Sequence, residues 1–114
     1  MKVMAMCLLS GVFLCSAGRL ESASRTTATI YGVGNHSCGK WLALPRDDDD
    51  WFIHISWVSG WLSAAGHYDV HGSLSETDSD AIAAWMDNYC RQHPLKSIDD
   101  AAAGLVRELA KPKE

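Results

Sequence analysis

A helix that carries a cysteine, with one other cysteine for it to reach, constrains this chain more than any other feature. Ile82, Trp85, Met86, Tyr89 and Cys90 recur at the i, i+3, i+4, i+7, i+8 spacing of one helical face, with Asp80, Ala83, Asp87 and Arg91 opposite. Pro94 stops the run. The spacing predicts a helix lying on a core, with Cys90 facing inward.

The partner cysteine follows from the start of the chain. Lys2 is followed by an almost wholly apolar stretch, Val3 to Leu14, and then by Cys15-Ser16-Ala17, with small residues where a signal peptidase cuts. Residues 1–17 read as a cleaved secretory signal, too short for a membrane span. Cleavage removes Cys7 and Cys15 and leaves Cys38 and Cys90, an even number in an oxidising compartment. A Cys38–Cys90 disulfide is therefore expected, and closing that loop stabilises a fold by about 4 kcal/mol on the chain-entropy account. There is no Cys-x-x-Cys for redox work, and the separation does not suit a zinc site built from paired ligands.

The remaining 97 residues (114 less 17) suffice for one small domain. Residues 18–35 are rich in Ser, Thr and Gly and read as a flexible N-terminal arm. The helical domain spans 36–111. Ser37 is placed to cap a short helix that Pro45 ends, with Cys38, Trp41 and Leu42 on one face. Four aspartates, Asp47 to Asp50, then precede a helix predicted from about Asp49 to Ala65, where their carboxylates complement the helix dipole and Gly66 provides a stop. Thr77-Asp78-Ser79-Asp80 has the form of a capping box opening the Cys90 helix, and Ser97-Ile98-Asp99-Asp100 opens the last one. In that last helix Ile98, Ala101, Ala102, Leu105 and Leu109 share a face. The fold class expected is all-α: a small four-helix (or four-to-five-helix) orthogonal bundle pinned by one disulfide.

The helix after the aspartates is apolar nearly all round. Trp51, Ile55, Val58 and Leu62 form one stripe; Ile53, Trp57 and Trp61 form another. One small domain cannot easily bury both, so apolar surface is expected to remain for a partner. Mid-helix Gly60 permits close approach of a second helix.

No nucleophile with a base, paired carboxylates, metal cluster or nucleotide-binding glycine pattern stands out, so the chain is not expected to be an enzyme or to use a metal or cofactor. His67 and His71 read as solvated loop histidines. No nucleic-acid partner is expected, nor a membrane after signal cleavage.

Ser37-Cys38, Trp41-Leu42, Trp57, Gly60-Trp61-Leu62-Ser63, Ile82, Tyr89-Cys90 and Pro94-Leu95-Lys96, with a final amphipathic helix, resemble the HdeA/HdeB family of periplasmic acid-stress chaperones over about residues 37–110. The resemblance implies a small helical protein with one disulfide, homodimeric at neutral pH. In acid it would loosen, expose apolar surface and hold unfolding periplasmic proteins. The client and dimer surface is then expected at Trp51, Phe52, Trp57, Val58, Trp61 and Leu62, and the pH-sensing groups at Asp47, Asp48, Asp49, Asp50 and His54. The sequence departs from the best-known members in its five tryptophans and its short tail with few lysines.

Charge allows such a response. Without Lys2 the chain carries nine Lys and Arg against fourteen Asp and Glu, a formal charge of −5; in strong acid the nine cations and five histidines give +14. Self-repulsion then opposes compactness. Most small acidic proteins swing the same way. A different class therefore stays open: a periplasmic immunity or inhibitor protein whose exposed tryptophans fit one specific partner.

Overall fold

The computed structural model describes residues 28–69 and 71–113. The expected signal segment, 1–17, and the first part of the expected arm, 18–27, lie outside the described residues. Among the described residues the chain forms a 3-10 turn, Gly32–Asn35, and four α-helices: α1 (Cys38–Ala43), α2 (Asp49–Tyr68), α3 (Ser79–Gln92) and α4 (Ile98–Leu109). They form an all-α four-helix bundle pinned by one disulfide.

Each helix begins on a side chain that accepts an otherwise unpaired backbone N–H, the local signal that starts a helix. The Ser37 hydroxyl accepts from Lys40 N at 3.1 Å, and the Ser97 hydroxyl accepts from Asp100 N. Asp48 accepts from Asp50 N at 2.8 Å, with Asp49 and Asp50 in the first turn of α2. At α3 the cap is Asp78, which accepts from Ala81 N at 2.8 Å, not the expected Thr77. The capping side chain thus lies one residue later.

The core gathers Trp41, Leu44, Trp51, Val58, Leu62, Ile82, Met86, Ile98, Ala101, Ala102 and Leu105 around the disulfide. Cys38 and Cys90 are wholly buried and bonded, with Cα atoms 4.8 Å apart, so α1 is fastened to the inward face of α3. Backbone bonds flank the link: Cys38 N donates to Lys96 O, Gly39 N to Pro94 O, and Ile98 N to His36 O. The connection before α4 is thereby sewn to the entry of α1.

Two expectations are corrected, and residues 32–35, at the end of the expected arm, form a 3-10 turn that packs on α2 and α4. Leu42 does not share the buried face of α1: it is exposed, and Leu44 just past the helix is buried instead. Finally, α2 runs through Gly66 to Tyr68, because the next loop ends it. Asp69 N donates to Gly66 O, and the Asp69 carboxylate gathers the amides of His71, Ser73 and Leu74. None of the described residues belongs to a helix long and apolar enough to cross a membrane.

Candidate functional site

From Trp51 to Tyr68, eighteen residues of α2 contain no Asp, Glu, Lys or Arg. The bundle covers only one side of them. Trp51, His54, Val58 and Leu62 point inward, so Trp51, Val58 and Leu62 are core residues in this state and not the surface expected of them. α2 packs against α3 and α4, and this stripe lies in the core that they share. The outward side keeps Phe52 at 58% exposure and Ile53 at 53%, with Trp57 and Trp61 half-buried between. Such an exposed, uncharged helical face suits apolar contact.

Residues 30–36 lie across this face. Gly32 has φ +78°, a backbone conformation that favours glycine, and it sets the chain against the Trp57 ring. A Cβ on Gly34 would overlap that ring and the side chain of Ile30. The Trp57 indole N–H donates to Tyr31 O at 2.7 Å, which fixes the ring under the segment. Shallow grooves remain on both sides of Trp57, one bounded by Val33, Phe52 and Ile53, the other by Ile30, Tyr31 and Trp61.

The segment ends on a pair of histidines. His54 Nδ1 lies 2.5 Å from Asp50 O, and His54 Nε2 lies 3.0 Å from His36 Nδ1. A carbonyl oxygen can only accept, so His54 Nδ1 carries a proton and donates. In neutral His54, Nε2 is then an acceptor, and His36 Nδ1 is the donor across the pair. His54 is 2% exposed, whereas His36 is exposed. The expectation had placed His54 among pH-sensing groups without a partner.

The other expected pH-sensing groups, Asp47 to Asp50, are all exposed at the start of α2. Asp48 caps, Asp49 and Asp50 occupy the first turn, and Asp50 touches the pair through its carbonyl oxygen.

A second polar cluster underlies the front of α2. The buried Trp41 indole N–H donates to Asp87 Oδ1 at 2.8 Å, and Arg46 clasps the same carboxylate with 2.5 Å contacts. The Arg46 guanidinium also sits 3.6 Å from the centroid of the Trp51 ring, which meets Trp41 edge-on. Asp87 had been placed on the solvent side of its helix. The missed signal is chemical: a buried indole N–H needs an acceptor.

At the far end of α2 the Asp69 carboxyl is held below the usual carboxylate range, foremost by the Ser73 backbone N–H. Among the described residues, no three His, Cys, Asp or Glu side chains come together as metal ligands. What the arrangement offers chemically is a half-covered apolar face whose cover is fastened to α2 by an indole hydrogen bond and a histidine pair, and to α4 by the bond from Ile98 N to His36 O. No protein-family model matches the chain, and no curated protein or solved structure does either.

Proposed function

We propose that this protein is a periplasmic acid-stress holdase: exported, disulfide-pinned, homodimeric near neutral pH, and able in acid to hold unfolding periplasmic proteins on the outer face of α2. The observation that carries this reading is the uncharged outer side of α2, with Phe52 and Ile53 open and Trp57 covered only by a thin, polar-fastened segment. An unfolding protein presents apolar stretches without fixed shape, and a long face lacking charges can take them without desolvating an ion.

Acid supplies the trigger in two ways. Protonating Asp47 to Asp50 removes their favourable interaction with the α2 dipole. Charging His54 puts a cation among buried neighbours. The Cys38–Cys90 link keeps the chain compact meanwhile, so the opened state remains able to close again. The resemblance to the HdeA/HdeB family in the residues around both cysteines supports the same reading.

The test is suppression of aggregation of several unrelated acid-unfolded proteins, followed by light scattering from neutral pH to about pH 2, the span in which histidines and carboxylates titrate. Protection of many clients in acid and none near neutrality is the expected result. Saturable one-to-one binding of a single partner at neutral pH, with no protection in acid, would replace it with the immunity or inhibitor reading.

A further inference from the structure

We propose that the His36–His54 pair is a proton-counting latch: one added proton keeps the covering segment closed on α2, and a second releases it. This names the regulation of the face described above. It rests on the holdase reading for what the opened face then does, but not for the opening itself.

The atoms dictate the two steps. In the neutral pair, four ring nitrogens hold two protons: His54 Nδ1–H donates to Asp50 O, and His36 Nδ1–H donates to His54 Nε2. Among the described residues, the one nitrogen of the pair without a protein partner is His36 Nε2, on an exposed residue. A first proton added there makes His36 an imidazolium that still donates through Nδ1. The link is kept and becomes charge-assisted. A second proton has only His54 Nε2 to go to. Two N–H groups then face each other across 3.0 Å, and two cations meet where there had been a hydrogen bond.

Release is transmitted along the backbone. His36 directly follows the 3-10 turn, and the contacts with Trp57 come from that turn and the residue before it: Tyr31 O accepts its indole N–H, and Gly32 and Gly34 lie on its ring. Cys38 on the other side is anchored by the disulfide and by Lys96 O. Movement is therefore directed toward the N-terminal side, off Trp57.

The charged and titratable groups on the elements that meet here are Asp49 and Asp50 on α2, Asp99 and Asp100 in the first turn of α4, Lys96 just before it, Lys40 on α1, and Tyr31 on the segment itself. None of these side chains is hydrogen-bonded or ion-paired to either ring.

The experiment is an NMR titration of the exported, disulfide-bonded protein, reading the imidazole nitrogens of both histidines and the exchange of the Trp57 indole N–H. Wild type should load His36 first with the indole still protected, and lose protection together with protonation of His54. His36→Asn is the companion variant. Its amide donates to neutral His54 Nε2 and, turned over, accepts from the protonated form, so the link survives either state without a second cation. Exposure of the Trp57 indole should then move to lower pH by about one unit or more. Exposure with the first proton in wild type, or at the same or a higher pH in His36→Asn, would overturn the latch. Because neither readout uses a client, loss of chaperone activity and failure of the latch are told apart.

Discussion

Gly34 decides how closely the chain can lie on Trp57. A methyl group there would overlap the Ile30 side chain and the indole ring, which its hydrogen bond to Tyr31 O holds in place. Gly34→Ala should destabilise the closed state by about 1–3 kcal/mol, the usual cost of overpacking a tight contact. Denaturant unfolding and Trp57 indole exchange measure it: a lower midpoint with a deprotected indole is expected, and unchanged values of both would show that the segment does not depend on that contact. Nothing in the sequence marked Gly34, because its role depends on a ring twenty-three residues away that local spacing cannot place. Asp87 was hidden for a similar reason. On its own helix it reads as solvent-facing, and only the Trp41 indole and Arg46 from other segments give it work. Cys38, Cys90, Met86 and Ile98 were legible, by contrast, since apolar periodicity alone sends them inward.

The starts of α1 and α4 were readable because a capping residue such as Ser37 or Ser97 needs only the next three residues, whereas at α3 the cap fell one residue later than expected, on Asp78. The end of α2 was not readable. Gly66 looked like a stop, yet the helix continues until the Asp69 carboxylate captures the amides of Ser73 and Leu74 and turns the chain. Asp69 is held below the usual carboxylate range by those donors, Ser73 first. Its folded pKa thus lies below the unfolded one, so the loop is supported above the unfolded value and loses that support as pH falls through the folded value. Asp69→Asn should weaken amide protection at Ser73 and Leu74 at neutral pH, to the level wild type reaches only in strong acid. Hydrogen exchange at those two amides gives the answer. Equal protection in both proteins at neutral pH would show that the carboxylate charge is not what holds this turn.

At the scale of the molecule, the two apolar stripes of α2 were visible in sequence, but which one the bundle would take was not. The stripe of Trp51, Val58 and Leu62 lies in the core, which leaves Phe52, Ile53 and the outer part of Trp61 to meet whatever the protein meets while residues 30–36 cover Trp57. A second copy is a fitting occupant near neutral pH, since a face without Asp, Glu, Lys or Arg brings no like charges together when it pairs with itself. Gly60 supports close approach there: it is exposed, and nothing lies within 4 Å of where its Cβ would be. Sedimentation at micromolar concentration should then show a dimer at neutral pH. Phe52→Asp or Ile53→Asp should shift it to monomer with the helical signal intact, because the new carboxylate is solvated in the monomer and desolvated in the pair. Val58→Asp distinguishes interface from core: its side chain is wholly buried, so that variant should lose stability by several kcal/mol instead. A wild type that is monomeric throughout would leave the outer face of α2 open at neutral pH, and the covering segment at Trp57 would then be the only restraint on it.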